Sequence, residues 1–124
     1  MKRIHIALAA TSEFSERHVS GLGTEISNQY GHITVNTGGK FSPAKHSVTD
    51  FVVKQEYRGK GFGLTLLQEV VRRYKHDIGG QCSSKASVAV FYKAGFRMPD
   101  QPHHSLLDVM REFEEYGSVY MKRD

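Results

Sequence analysis

The segment that most restricts the fold of this chain is a glycine-rich, basic turn between an apolar strand and a helix. Residues 47–54 are typical of a strand, and residues 62–77 repeat apolar side chains at helical spacing. The turn reads Arg58-Gly59-Lys60-Gly61-Phe62-Gly63. Glycines let backbone N–H groups converge on one point, and the N-terminus of the following helix adds partial positive charge. The pattern predicts a strand–turn–helix unit that can hold a pyrophosphate.

Two common phosphate-binding motifs do not fit this turn. A P-loop requires G-x-x-x-x-G-K-[ST], and the chain contains no Gly-Lys-Ser or Gly-Lys-Thr. A dinucleotide fingerprint requires G-x-G-x-x-G, but Gly59 and Gly61 are followed by Gly63 rather than by a glycine at position 64. Taken alone, the turn leaves open a plain strand-to-helix connection with solvated basic residues.

The rest of the chain predicts a mixed α/β pattern. We expect strands at 3–9, 31–37, near 81–83 and at 118–122, with 95–98 as a further candidate. We expect helices at 11–20, at 84–94 with Ser84 as N-cap, and from Ser105 onward, where Ser105-x-x-Asp108 is a helix-capping pattern. Residues 21–29 are expected to be irregular and 38–46 a loop. Gly79-Gly80 is expected to end the helix over 62–77, and Gly95 the helix over 84–94.

The composition is that of one small globular unit. The chain has 124 residues, 39% hydrophobic and 24% charged, which predicts a single domain over 1–124. No apolar run is long enough to span a bilayer, and the only cysteine, Cys82, favours a reducing cytoplasm. The net charge of +4 permits an anionic partner without naming one. His103-His104 lacks a second ligand pair, so no metal site is predicted.

Two motifs in the expected order resemble the GCN5-related N-acetyltransferase (GNAT) family. The first is Gln55-x-x-Arg58-Gly59-x-Gly61-x-Gly63, which resembles the acetyl-CoA-binding motif of that family. The second is Ser84-Lys85-Ala86 followed by Val90-Phe91-Tyr92-Lys93-Ala94-Gly95-Phe96. The resemblance covers roughly residues 47–98. It implies an α/β (α+β) fold: a mixed, mostly antiparallel sheet flanked by helices, with splayed central strands around a strand–Gly-rich loop–helix acetyl-CoA site.

The resemblance also implies the residues that bind acetyl-CoA. The backbone of Phe51, Val52 and Val53 would pair with the pantetheine amides as an added strand does. The N–H groups of the turn would hold the pyrophosphate, which assigns that role to Arg58, Gly59, Lys60, Gly61, Phe62 and Gly63. Ser84 stands where the family usually has Asn, and as a shorter side chain it reaches less far toward the pantetheine.

The residue at the usual acid position departs from the family pattern. Phe91 stands where many members have the Tyr that protonates the leaving thiolate, and it would still contact the cofactor. Tyr92 is one residue further, about 100° around the helix, so we expect it to point elsewhere. Because a thiolate with a pKa near 8.5 is a tolerable leaving group, we expect a slower or water-assisted enzyme.

The general base is left open between two residues. Some family members use a Glu on the strand before the turn, and the equivalent position here is near Ser47, which cannot act as a base. His46 and Asp50 are the nearby candidates, each with a purely structural alternative as a loop histidine and a hydrogen-bonded strand residue.

The predicted function is transfer of acetyl from acetyl-CoA to a primary amine by direct attack in a ternary complex. The acceptor is unidentified, and a protein, a charged tRNA or a small molecule all fit. The alternative is a weak or inactive module that binds CoA and acts through a protein or nucleic-acid partner. Nucleic acid is not required to explain the charge, and a homodimer is left open. Glu112, Glu114 and Glu115 are expected on a solvated helix face, or else near the acceptor.

Overall fold

The structure is a computed structural model, and it describes residues 14–124. These residues form one six-stranded sheet in the order β1-β2-β3-β4-β5-β6 and three α-helices. The strands are β1 (Ser15–Val19), β2 (Gly23–Asn28), β3 (Gly31–Thr37), β4 (His46–Val53), β5 (Ile78–Cys82) and β6 (Val119–Arg123). The helices are α1 (Phe62–Tyr74), α2 (Lys85–Lys93) and α3 (Leu106–Tyr116), and a short 3-10 turn covers Gln55–Tyr57.

The first two strands correct two sequence predictions. The expected helix over 11–20 is wrong where the structure describes it, because Ser15–Val19 is a strand paired antiparallel with β2. Residues 21–29 are not irregular, since Gly23–Asn28 is a strand. Gly21 has a φ of 79° and makes the tight turn between them. The predicted strand over 3–9 and residues 11–13 lie outside the described residues.

Helix α1 begins as predicted but ends earlier. Its last residue is Tyr74, and Lys75 ends it with a φ of 74° while its N–H donates to the carbonyl of Val71. Gly79 and Gly80 therefore do not stop the helix and lie inside β5. They are needed there because a Cβ on either residue would collide with a tyrosine or phenylalanine ring from a neighbouring element.

The remaining helices follow the capping signals in the sequence. Ser84 and Ser105 each accept a hydrogen bond from the backbone N–H three residues later, at Ser87 and Asp108 respectively. Gly95 follows α2 with a φ of 93°. The segment 95–98 makes only an isolated bridge between Arg97 and Lys122 rather than a full strand.

The core lies between one face of the sheet and the three helices. Ile33 and Val35 on β3 are fully buried there, together with Leu66 and Val70 of α1 and Met121 of β6. Strand pairing puts Phe51 and Val48 of β4 on this same face, opposite those two β3 residues. We call it the helix face and the other side of the sheet the second face.

Of the neighbouring strands in the described sheet, only β4 and β5 run parallel, and they part early. Their pairing covers His46–Val48 and Ile78–Gly80, although β4 continues to Val53 and β5 to Cys82. Beyond this fork, among the strands that the structure describes, β4 is paired only with β3 and β5 only with β6. A bulge at Thr49 increases the bend of β4 at the same point. The mixed, mostly antiparallel sheet with splayed central strands confirms the fold class expected from the sequence.

Candidate acetyl-CoA site

A cavity of about 650 Å³ lies where β4, the glycine-rich turn and α2 meet. This volume falls within the range of small-molecule and cofactor sites, about 300–1,000 Å³. Its floor is the end of β4 at Phe51, Val52 and Val53, and its far wall is α2. The strand edge that faces it lies beyond the fork, so within residues 14–124 the backbone groups of β4 on this side have no neighbouring strand.

The glycine-rich turn contains two glycines in the left-handed region of backbone angles. Gly59 and Gly61 have φ values of 78° and 89°, which strain most other residues. Gly61 is the N-cap of α1, and the first turn of that helix carries no acidic residue. The Nε of Arg58 donates to the carbonyl of Val53 at 2.9 Å and ties the turn to the strand. The positive end of α1 and the exposed Arg58 therefore face the same cavity.

Most residues predicted to bind the cofactor line this cavity. Those on its wall are Phe51, Val52, Val53, Arg58, Gly59, Gly61, Phe62, Gly63 and Ser84. Lys60 is exposed on the turn but is not on the wall, and Phe91 is buried beneath it with 2% of its surface exposed.

The sequence reasoning missed one side of the cavity. Helix α2 contributes Ala86, Ser87, Val90 and Lys93. These positions recur at helical spacing and so share one face, which is a signal the sequence carried. Lys93 adds a second basic side chain to the wall besides Arg58, and Val90 adds an apolar one.

Phe91 and Tyr92 point in different directions. The Phe91 ring packs against Phe96, with ring centroids 4.8 Å apart, and against Gly80 of β5. The Tyr92 hydroxyl donates to the carbonyl of His104 at 3.4 Å, and the guanidinium of Arg97 lies 3.6 Å from the centre of its ring. Tyr92 is thus held toward the segment before α3 rather than on the wall of the cavity.

The structure does not bring the two base candidates together. His46 lies on the helix face, where its ring centroid is 4.7 Å from that of Tyr74 and its Nδ1 is 2.8 Å from Oγ1 of Thr37. Burial lowers the pKa of His46 below its ordinary value, and the nearby Lys45 acts in the same direction. Asp50 lies on the second face, where its Oδ2 is 2.8 Å from Nε2 of His32. His32 was not predicted as a site residue from the sequence.

A second cavity of about 210 Å³ opens beside the fork. Both strands of the fork contribute to its wall, through Val48 and Thr49 of β4 and Gly80 and Gln81 of β5. The remaining lining residues are Leu22, Phe41, Ser42, Ser47 and Tyr120. Tyr120 lies on the second face because a Cβ on Gly79 would meet its hydroxyl, whereas a Cβ on Gly80 would meet Phe91 on the helix face. The fork thus has a cavity on either side.

Three further sequence candidates are placed as follows. Cys82 is fully buried, and burial raises the pKa of its thiol to about 12, which is unsuited to carrying an acyl group. Glu114 on α3 pairs with Lys85 at 3.3 Å, with both side chains more than half exposed. The rings of His103 and His104 are 5.3 Å apart, and no cluster of three metal-ligating side chains occurs within 14–124.

Comparison with known protein families agrees with this geometry. The sequence model of the acetyltransferase (GNAT) family matches residues 14–96, which span β1 to the end of α2 and contain the whole glycine-rich turn. The chain therefore belongs to the acetyltransferase (GNAT) family. In general terms, this membership indicates an acyl-CoA N-acetyltransferase, with acetyl-CoA as the typical cosubstrate. No curated protein and no solved structure matches the chain significantly. In the described part of the chain, no helix is both long and apolar enough to cross a membrane.

Proposed function

We propose that this protein transfers the acetyl group of acetyl-CoA to a primary amine by direct attack in a ternary complex. The observation that carries the proposal is the continuity of the glycine-rich turn with the unpaired edge of β4 in one cavity. The turn would hold the pyrophosphate through its N–H groups, Arg58 and Lys60. From there, the pantetheine arm would run back along Val53, Val52 and Phe51, and its thioester would reach the fork.

The cavity beside the fork supplies a route for the acceptor. An amine entering there would meet the thioester carbon just beyond Val48 and Gly80, the last paired residues of the two strands. The nitrogen forms a bond to the acyl carbon, the carbon–sulfur bond breaks, and sulfur leaves with the electron pair. The nitrogen loses one proton and the sulfur gains one. An alkylamine with a pKa near 10.4 is mostly protonated at neutral pH, so a base or desolvation must free its lone pair.

Asp50 is the base candidate that the geometry favours. It follows Thr49, which lines the acceptor cavity, and it lies on the second face, although Asp50 itself is not on the wall of that cavity. His32 holds its carboxylate at 2.8 Å. His46 faces α1 instead and is engaged with Thr37. The acceptor itself remains a primary amine of a protein, a charged tRNA or a small molecule.

A CoA-binding module with weak or no catalysis is the second candidate. It is favoured by the buried ring of Phe91, which has no hydroxyl at the position where many members carry the acid Tyr. Such a module would act through a protein or nucleic-acid partner. A cytoplasmic location, a single domain over 1–124 and a homodimer remain predictions from the sequence.

The two candidates differ in turnover. We would measure the thermal shift with acetyl-CoA and then the release of free CoA with a panel of amines. Binding stabilises the native state by mass action, so Tm should rise with ligand concentration, and less for Arg58→Ala than for the control Arg111→Ala on α3. Binding with CoA release supports the transferase, and binding without release on any amine supports the module. Absence of a thermal shift overturns both.

A further inference from the structure

The acceptor cavity carries four hydroxyl side chains, and their hydrogen bonds determine which of them can serve a ligand. They belong to Ser42, Ser47, Thr49 and Tyr120. A hydroxyl has one hydrogen to donate and two lone pairs that accept. A hydroxyl that already donates its hydrogen to a protein acceptor cannot also donate to a ligand. The hydroxyl whose hydrogen has no protein acceptor is therefore the donor available to a ligand.

Three of the four hydrogens have an acceptor in the protein. The Tyr120 hydroxyl donates to Oγ of Ser42 at 3.2 Å, and the N–H of Ala44 donates to the same atom at 3.2 Å. Both lone pairs of Ser42 are then occupied, so its own hydrogen points to Oγ of Ser47, 2.6 Å away. The Thr49 hydroxyl faces the carbonyls of Leu22 and Thr34 at 3.3 and 3.4 Å.

Ser47 is the end of this chain of donors. It accepts from Ser42, and within residues 14–124 its own hydrogen has no other hydrogen-bond partner. The residue is 2% exposed and pairs with Gly79, one rung before the strands part. Hydrogen bonds in series polarise one another, so the chain from Tyr120 through Ser42 strengthens Ser47 as a donor.

We infer that the Ser47 hydroxyl donates a hydrogen bond to the sulfur of the thioester as it leaves. The inference rests on the proposed function, which puts the thioester at the fork. As the carbon–sulfur bond breaks, sulfur takes the electron pair and Ser47 stabilises the resulting charge without losing its proton. The proton that completes the CoA thiol comes from the ammonium formed when the amine attacks. Ser47 thus supplies from the second face a donor that Phe91 cannot supply from the helix face.

The packing of Gly79 keeps the chain in place. A Cβ on this glycine would collide with the Tyr120 hydroxyl and come within 3.1 Å of the Cβ of Ala44. The hydroxyl end of the phenol therefore lies over Gly79, and the hydroxyl donates to Ser42. Tyr120→Phe removes the first hydroxyl of the hydrogen-bonded chain but keeps the hydroxyl of Ser47. Its effect on the thiol of bound CoA should therefore be smaller than that of Ser47→Ala.

The direct test is the pKa of the thiol of bound CoA, followed by the ultraviolet absorbance of the thiolate. A donor at the sulfur favours the thiolate, so bound CoA should titrate below free CoA in the native protein. Ser47→Ala should remove this difference, a rise of about one pH unit, and Tyr120→Phe should remove part of it. Ser15→Ala and Tyr116→Phe are matched controls on the exposed parts of β1 and α3 and should leave the titration unchanged.

Kinetics give the second readout. Ser47→Ala should lower kcat about 10- to 100-fold with little change in the KM for acetyl-CoA, and Ser47→Thr, which keeps a hydroxyl, should restore part of the rate. An equal thiol pKa for CoA bound to the native protein and to Ser47→Ala would overturn the inference and leave the proposed function intact. If Ser47→Ala fails to fold, the partial change in the thiol pKa of bound CoA that is expected for Tyr120→Phe still tests the inference. Failure of CoA to bind the native protein overturns both.

Discussion

The ring of Phe91 lies against Gly80, so that a Cβ on this glycine would be 2.9 Å from Cε2 of the ring. Gly80 is also the last residue of β5 that pairs with β4. The contact puts a phenyl ring without a hydroxyl on the helix side of the fork, and it explains why glycine occupies the middle of a buried strand.

Gly80→Ala should therefore destabilise the fold. The added methyl forces Phe91 to shift in a core that has no spare room, which we expect to cost about 1–3 kcal/mol of unfolding free energy. Chemical denaturation measures this loss of unfolding free energy. The double variant Gly80→Ala with Phe91→Leu should recover part of the loss because the smaller side chain leaves space. A double variant less stable than either single one would contradict the contact.

Side-chain bulk at Gly63 should control access to the acetyl-CoA cavity. A Cβ there would have ordinary contacts, 3.4 Å from Val53 and 3.6 Å from Phe51, whereas a larger side chain would fill the cleft between β4 and Val90. We expect Gly63→Leu to raise the Kd for acetyl-CoA at least about tenfold, a difference of about 1.4 kcal/mol. Gly63→Ala is the control and should bind normally. Titration calorimetry with acetyl-CoA measures the Kd of both variants. Equal Kd values for Gly63→Leu and Gly63→Ala would mean that the cofactor binds elsewhere.

The opposite placement of His46 and Asp50 separates their expected effects. Asp50→Asn should lower the rate of acetyl transfer about 10²- to 10⁴-fold at neutral pH if the carboxylate is the base, with a smaller loss as the pH rises and the free amine increases. His46→Gln should leave the pH–rate profile unchanged because its ring faces α1. Steady-state rates across pH measure both. A changed profile for His46→Gln alone would reverse the assignment.

Glu69 should make stability depend on pH. It is 8% exposed on α1, and the guanidinium groups of Arg72 and Arg73, at 2.6 and 2.7 Å, hold the pKa of its carboxyl below the ordinary value of 4.5. Because the pKa is lower in the folded state, the stabilisation is complete above the ordinary value and is lost as the pH falls through the folded-state value.

Glu69→Gln should thus cost about 1–3 kcal/mol at pH 7 and progressively less below pH 4.5. Unfolding curves at several pH values measure the difference from the native protein. Glu115→Gln on the exposed surface of α3 is the control and should show almost no cost. A cost for Glu69→Gln that stays constant down to acid pH would exclude the ion pair as its source.

Cys82 should be inert in the folded protein. The residue is fully buried, and burial raises the pKa of its thiol to about 12, so almost no thiolate exists at pH 8. An aromatic disulfide reagent should label it only as fast as the fold opens and immediately in denaturant. Rapid labelling of the native protein, or acetyl recovered on this cysteine, would contradict the expectation that its thiol is unreactive.

The local parts of the fold and site were predictable from sequence. The turn from Arg58 to Gly63 is contiguous, so its glycine spacing and basic residues predict a candidate anion site without any long-range information. Ser84 and Ser105 identify their helix starts because capping involves only three following residues. The strand 31–37 was equally clear from its β-branched residues.

The parts that failed depend on distant partners. Strand β1 is exposed at four of its five positions, so it shows no alternation of burial and its polar residues suggest a helix start. Its conformation comes from pairing with β2, which pairs in turn with β3. The end of α1 is a lysine with positive φ, which no local rule favours. The acceptor cavity joins Ser42 to Tyr120, 78 residues apart, and no short motif encodes that contact.

The unpaired edge of β4 has one further consequence. If the pantetheine arm binds there as proposed, the groups that this edge offers it are main-chain amides and carbonyls, which every residue except proline provides in the same arrangement. Substitutions at Val52, whose side chain is partly exposed, should therefore change the affinity for acetyl-CoA very little. This part of the chain can diverge in sequence while it keeps its ligand, whereas the glycines of the turn cannot.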